Sequence, residues 1–599
     1  MTSLSDLPFH EIWAVDTEYY PGPGYAHGGR DGDRITPLAL VAIEMRTGQT
    51  VRLWQDGLGL APPYRLDPDV LIISYMATAE MGFHLACGWA QPANLLDLYI
   101  EFRHLTNDAR VTTSDERGGI HRDKGFYSLA GALRHFREDE IDVARRDDSR
   151  DRILQGPPFS NQERREILEY CEDDARALAR LAVRLIPTIK SLPHALYRGQ
   201  YAGSIARQER RGIPIDLPGL ERIRERWSSI KTSLVAAVDR DYGCYEIEDG
   251  EPHFRDHLFR AYLRRQRIPW PEYEDGTLDK RAQTFRDLAT AFPQIDGLRE
   301  LRSTLSQLRL NDLSVGRDGR NRCLIGPFGT KTGRNAPSNA KFVFGPAKWI
   351  RFLIAPEPDT ALIHRDFSQQ EVWIAAVLSG DAALLAACLS GDVYLAIAKR
   401  LNLAPADATP QTHPEIRKLF KTVVLGIQYG LGPRSLALRT GISRYEAGEI
   451  IARLRAEFRA FEEWSACVAD HAGLDMLLAT PFGWTMRCPP GTNPRTVRNW
   501  PIQATGAAIL HAACILAERR GLQVVAPIHD ALLSEAPIAA AADASAELDR
   551  VMRDASRLAL RGFELPTSGG DQILPGARFY DERGEHMWNV VNQLLEEQC

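Results

Sequence analysis

The spacing of apolar and polar positions changes several times along the chain, and each change marks an element. Ile12 to Val15 is an unbroken apolar run of strand length, followed by a Gly/Pro-rich loop. A helical period begins near Asn161, so residues 11 to about 190 are expected to form a compact α/β unit. From about 195 to 320 the pattern is charged and helical, with Ile205, Ile213 and Leu217 placed around the turn Arg211-Gly212-Ile213-Pro214, which suits an arm more than a core. Beyond Gly329, apolar strands alternate with more apolar helices. The strand Ala361 to His364 leads into a helix over Glu371 to Leu378, and a Pro/Thr-rich linker runs from Pro405 to Pro414. Thr412 with Glu415 three residues later has capping-box spacing and predicts a helix start at 412. Val524 to Ile528 and Leu532 to Glu535 are expected to pair through a tight turn at His529 and Asp530.

At 599 residues the chain is too long for one core, and several compact units are expected. Hydrophobic residues at 44% and charged residues at 25% exclude a disordered or fibrous chain. A formal net charge of −6 runs against phosphate binding over the whole surface, yet 73 Lys and Arg suffice for one basic cleft. The runs Arg207 to Arg211 and Arg260 to Arg267 could line such a cleft or form solvated helix faces. Nine cysteines without a CxxC pair suggest neither a zinc knuckle nor a disulfide framework, so a reducing, cytoplasmic setting is expected. Met1 to His10 has no export pattern, and no uninterrupted apolar run approaches membrane-spanning length, so no membrane partner is expected.

Phosphoryl transfer to a hydroxyl is served by two divalent ions about 3.5–4 Å apart, held by carboxylates on rigid supports. Asp366 follows the apolar strand in Leu362-Ile363-His364-Arg365-Asp366, and Asp530 sits in the turn Pro527-Ile528-His529-Asp530. Alone, each is an ordinary strand-end or turn residue; if the strands are neighbours, both acids face one point. Arg417, Lys421, Leu425 and Tyr429 recur every four residues and share one helix face. The two cations could clamp a triphosphate, with the leucine and tyrosine offering a flat surface to a base. Without the acids, this would be an amphipathic helix with exposed cations.

In this order and at these separations the three segments resemble motifs A, B and C of family A DNA polymerases, the bacterial DNA polymerase I class. The resemblance implies that Asp366 and Asp530 bind the metals, that Glu371 is the steric gate against a ribose 2′ hydroxyl, and that Arg417 and Lys421 hold the incoming phosphates beside Leu425 and Tyr429. Thr332-Gly333-Arg334, with Pro337 and Asn339, resembles the family's primer-side segment. Arg495, Asn499 and Gln503 fall on one helix edge and resemble its template and minor-groove contacts; His529 joins Arg334 as an expected DNA contact. Two positions depart from the pattern. Ala531 stands where motif C has Glu, and Leu425 where motif B has an aromatic ring, so base stacking is altered and a preference for modified bases is one expectation.

The N-terminal acids suggest a second site. In Asp16-Thr17-Glu18 both carboxylates lie on one side of a strand, and Tyr170 and Asp174 are one helical turn apart. D-x-E followed by Y-x-x-x-D resembles the DEDDy 3′-to-5′ proofreading exonucleases, which implies metal binding by Asp16, Glu18, Glu80 and Asp174, with Tyr170 orienting water. Glu80 replaces the family's Asp, one carbon longer, and Asp97 resembles a later, supporting Asp.

The implied fold is a multidomain α/β chain: an RNase H-like exonuclease domain followed by a right-hand polymerase of thumb, palm and fingers. The expected boundaries are exonuclease 1–190, thumb 195–320, palm 321–380 with motif A, fingers 381–480 with motif B, and palm 481–599 with motif C. The implied activity is template-directed DNA synthesis with proofreading, using two Mg²⁺ at each site with Mn²⁺ as a substitute. Expected partners are primer-template DNA, dNTPs and replisome proteins, and the chain is expected to be a monomer. No room is expected for a 5′ nuclease domain. The ending Arg578-Phe579-Tyr580-Asp581 to Trp588 resembles phage and prophage polymerases, pointing to phage DNA replication. Three rivals remain: a single-subunit RNA polymerase, which should lack a gate such as Glu371; an exonuclease on a dead polymerase body; and a stand-alone nuclease, which leaves most of the chain unexplained.

Overall fold

The structure is a computed structural model that describes residues 3–22, 32–107, 112–114, 120–122, 125–138, 143–273, 275–307, 312–345, 347–428 and 430–597. The apolar run Ile12 to Val15 is wholly buried because its strand, β1 (Glu11–Tyr20), is central in a five-stranded sheet. On one side lie β2 (Thr36–Glu44) and β3 (Thr50–Trp54), on the other β4 (Val70–Ser74) and β5 (Leu95–Asp97). Only β2 runs against the rest. Three helices cover this sheet: α1 (Thr78–Ala86), α2 (Leu98–Leu105) and α3 (Asn161–Leu185). Helix α3 starts where the periodicity predicts, with Ser160 and Glu163 forming a reciprocal capping box.

Helix α4 (Leu192–Arg211) packs on both halves of the molecule, against α1 and β5 on one side and the C-terminal body on the other. Gly199 permits the close approach to β5, since a Cβ there would run into the Leu95 carbonyl. Arg198 and Glu101, 3% and 2% exposed, form a two-pronged ion pair at 2.6 and 2.7 Å that ties α4 to α2. Such a buried pair fixes register more than it adds stability. The run Arg207 to Arg211 lies on this helix; Arg211 is spent internally, on Glu518 at 2.8 Å and on the Val524 carbonyl at 3.1 Å.

The expected arm has a core of its own. Its helices, among them Asp256–Arg265 and Ala282–Ala291, enclose Phe259, Tyr262, Leu263 and Phe285, with the two phenylalanine rings stacked at 5.5 Å. Arg264, Arg265 and Arg267 are exposed on its surface, a solvated face.

The C-terminal body is built on a second sheet. Its strands are β6 (Thr360–Phe367), β7 (Gln523–Ile528), β8 (Ala531–Pro537) and β9 (Thr567–Ile573), antiparallel in the order β7-β8-β6-β9. β6 outruns the expected end at His364 because it is paired on both sides: Asp366 lies opposite Ala531 of β8 and Ser568 of β9. After β6 come α5 (Gln370–Ser379), α6 (Val393–Arg400) and α7 (Pro414–Gln428). The predicted start of α7 at Thr412 is corrected. The helix begins at Pro414, whose ring presets φ for a first turn, and the Thr412 hydroxyl accepts from the Thr409 N–H at 2.9 Å instead.

Two long helices, α8 (Pro494–Arg519) and α9 (Ala541–Ala559), back this sheet. Helix α8 is long and apolar enough to cross a membrane, a length the reading of the sequence had not anticipated. Its most apolar window is 83% buried within the protein, as a core helix should be. The described cysteines are all free.

Candidate active sites

The pairing of β6 with β8 decides the geometry of the first site. With Asp366 opposite Ala531, the preceding Asp530 in the turn stands beside it, and the Phe367 N–H donates to the Asp530 carbonyl at 3.1 Å. His529, at the tip of the turn, takes the left-handed conformation with φ of 55°. Burial, then the charge of Asp530 and a hydrogen bond to it, push the Asp366 carboxyl up to about 7, with Lys421 opposing. The Asp530 carboxyl is also raised, chiefly by burial and further by Glu371, while Arg334 works the other way. The buried Oδ1 of Asp366 has no hydrogen-bond partner among the described residues. Two crowded carboxylates of this kind fit a hard divalent cation, which would relieve both.

Glu371 lies in the first turn of α5 and accepts from Arg334 Nη2 at 2.9 Å. The expected gate and the expected primer-side arginine are therefore joined. On α7, Lys421 is exposed and close enough to Asp366 to lower its carboxyl. Arg417 is paired with Asp392, and its guanidinium lies 5.8 Å from the centre of the buried Tyr394 ring. Leu425 is half-buried and packs against the core of this body; Tyr429 lies outside the described residues. On α8, Arg495 is exposed, Gln503 half-buried and Asn499 buried, and the stem of Arg495 lies against Gly430 next to the end of α7.

In the N-terminal half, Asp16 and Glu18 project from β1 and Asp174 from α3, with ligand oxygens within 4.8 Å of one another. Tyr170, one turn before Asp174, is 8% exposed. Glu80 lies in the first turn of α1 and is buried. Its carboxyl is held well above the usual range by burial first, then by the charges of Asp16, Asp97 and Glu18. Four acids thus share one neighbourhood, and this donor set also suits hard cations. Asp97 plays a different part. It accepts from the N–H groups of Met76 (3.1 Å), Ala77 (3.0 Å), Tyr99 (2.9 Å) and Ile100 (3.4 Å), capping α2 and pinning the chain that leads into Glu80's helix.

Asp392 and Tyr394 were not singled out from the sequence. The one available signal was Asp392 as an N-cap before an apolar helix, which says nothing about Arg417.

Comparison with known proteins gives the relatives of this chain. Residues 277–566 match the family described as DNA polymerase family A. The chain is 27% identical over 442 residues to DNA polymerase I of Chloroflexus aurantiacus, covering 68% of this chain and 46% of that one. It is 25% identical over 407 residues to the DNA polymerase of Mycobacterium phage D29, covering 65% of each. The chain therefore spans about half the length of the first relative and just under two thirds of the second. Among solved structures, the POL domain of Pol1 from M. smegmatis, in complex with DNA primer-template and dNTP, superposes with a TM-score of 0.64. That match has 18% identity and covers 94% of this chain and 95% of that one, a likeness of fold. Residues 277–566, just under half of this chain, are similar to DNA polymerase family A.

Proposed function

We propose that the protein is a DNA-directed DNA polymerase with a 3′-to-5′ proofreading exonuclease, acting in phage or prophage DNA replication on primer-template DNA and dNTPs. The observation that carries this reading is the convergence of Asp366 and Asp530 across β6 and β8, with Lys421 close by. The proposed division is exonuclease 1–190, thumb 195–320, palm 321–380 and 481–599, and fingers 381–480. The N-terminal strand order, with β2 alone reversed, supports an RNase H-like domain.

Mg²⁺, with Mn²⁺ as substitute, would be held by Asp366 and Asp530 at one site and by Asp16, Glu18, Glu80 and Asp174 at the other, and would supply activation of a hydroxyl or water and charge neutralisation there. Arg417 and Lys421 bind the triphosphate, Arg417 exchanging Asp392 for phosphate. Glu371, held by Arg334, occupies the space a 2′ hydroxyl would need. Leu425 offers the base an aliphatic edge, and Tyr429 stands beside the nascent pair. Arg334, Arg495, Asn499, Gln503 and His529 contact the duplex and read its shape rather than its sequence. At the exonuclease site, Tyr170 orients the attacking water.

Primer extension in Mg²⁺ tests the whole reading, with dNTPs, rNTPs and no nucleotide in parallel. Extension by dNTPs alone, with primer shortening in the empty lane, is expected. Tight DNA binding without extension would overturn the polymerase assignment.

A further inference from the structure

Helix α2 ends against the C-terminal body rather than at solvent. Arg103 donates from Nε to the Phe328 carbonyl at 3.1 Å and from Nη2 to the Gly329 carbonyl at 2.8 Å, and its guanidinium lies 4.4 Å from the centre of the Tyr127 ring. One turn on, Asn107 is 6% exposed and donates through Nδ2 to the carbonyls of Lys331 (2.9 Å) and Thr485 (2.6 Å). Between them His104 stacks on Trp484 with centroids 5.2 Å apart. The Lys331 carbonyl also receives the indole N–H groups of Trp484 at 3.0 Å and Trp500 at 2.9 Å.

These donors hold the turn that carries Arg334. Within it, the Gly333 N–H reaches the Thr330 carbonyl at 3.0 Å and the Thr330 N–H reaches the Arg334 carbonyl at 3.1 Å. Gly333 has φ of 78°, and a Cβ there would press on the Trp484 ring at 3.3 Å. A side chain at 333 would therefore be strained, and the turn is packed against Trp484. Three of its carbonyls, at 328, 329 and 331, are met by side chains of the N-terminal half. At the end of the turn, Arg334 meets Glu371.

We propose that Arg103 and Asn107 are positioning residues for DNA synthesis: the end of α2 fixes the 328–334 turn, and through Arg334 it sets the sugar gate at Glu371. The inference rests on the reading of Glu371 as that gate. It makes the N-terminal domain part of the polymerase's substrate selection, independently of any hydrolysis it performs. Removing Arg103 takes a side-chain donor from the Phe328 and Gly329 carbonyls, and removing Asn107 takes one from Thr485 and one of three from Lys331, so in each case the turn loses a tie to α2 and relaxes. A shift of about 1 Å at Arg334 would loosen Glu371 and admit a 2′ hydroxyl.

The test is single-nucleotide incorporation by the full chain, reading the ratio of kcat/KM for a dNTP to that for the matching rNTP. That ratio does not depend on how much of a preparation is folded. Asn107→Ala and Arg103→Ala are expected to lower it by about tenfold. Arg103→Lys keeps the charge but cannot span both carbonyls, and should lower the ratio less; it also serves if a truncation fails to fold. Shortening of single-stranded DNA is measured on the same samples and should stay at the wild-type rate. Unchanged ratios in all three variants, with only a lower Tm, would overturn the proposal, since the contacts would then merely join two domains. A wild-type enzyme that accepts rNTPs as readily as dNTPs would instead defeat the gate reading itself.

Discussion

Arg417 donates from Nε to the carboxylate of Asp392, the same side chain that caps α6 by accepting the Leu395 N–H at 3.0 Å. A triphosphate arriving at Arg417 must compete with that carboxylate. Asp392→Asn keeps a cap and an acceptor but removes the opposing charge. The KM for dNTP is expected to fall about fivefold, the equivalent of about 1 kcal/mol, with kcat little changed. A raised KM in steady-state extension would mean that Asp392 orients Arg417 rather than competing for it.

Asp366 trades stability for chemistry. Its carboxyl is raised to about 7 in the fold, so the fold keeps a proton that the unfolded chain loses near its ordinary value of 3.8. Stability contributed by this group is complete below about pH 4 and is lost as pH rises towards 7. In EDTA at pH 8, Asp366→Asn should therefore raise stability by about 2 kcal/mol, seen as a higher Tm, while primer extension in Mg²⁺ falls by about a thousandfold. A variant that is both less stable and still active would contradict the assignment.

Glu80 offers the corresponding test in the N-terminal half. Its raised carboxyl, buried beside Asp16, Asp97 and Glu18, is a cost of folding unless a cation is present. Glu80→Gln should slow the shortening of single-stranded DNA by about a hundredfold and leave primer extension intact. Wild-type hydrolysis by this variant would show that Asp16, Glu18 and Asp174 suffice.

Two buried histidines predict sensitivity to acid. His511 stacks on Tyr201 with centroids 3.9 Å apart, and burial lowers its pKa to about 3. His84 is buried against the Tyr64 hydroxyl at 2.6 Å, and burial lowers it to about 4. The unfolded chain protonates both near 6.5, whereas the fold does not. Each therefore withdraws up to about 1.4 kcal/mol of stability per pH unit as pH falls from 6.5 towards 4. His511→Phe keeps the stacking and removes the proton, so its Tm should decline less steeply between pH 6.5 and 4.5. Parallel declines for variant and wild type would rule His511 out as a source.

The acids were legible in the sequence because they follow apolar runs, and strands that bury such runs have little freedom over where they end. Asp366 and Asp530 stand at or just past the ends of such strands, and Asp16 and Glu18 follow the apolar run inside β1. Local signals gave less where tertiary packing competes with them. The capping pattern at Thr412 lost to Pro414, and in the Arg207 to Arg211 run, read as a cleft or a solvated face, Arg211 forms an ion pair with Glu518 between two helices. Partners such as Asp392 for Arg417 or Lys331 for Asn107 meet only in space, and no spacing along the chain encodes them.

The two clusters of acids also differ in when they can exist. Asp16, Glu18, Glu80 and Asp174 lie on a sheet and helices complete by Leu185, so a chain emerging from the ribosome can assemble them while most of it is still unmade. Asp366 has to wait. Its strand is flanked by β8 and β9, so the pair with Asp530 forms only by a long-range closure over everything from 367 to 529, among the slowest kinds of event in folding. During synthesis of the protein, the cluster proposed to remove nucleotides can therefore assemble before the one proposed to add them.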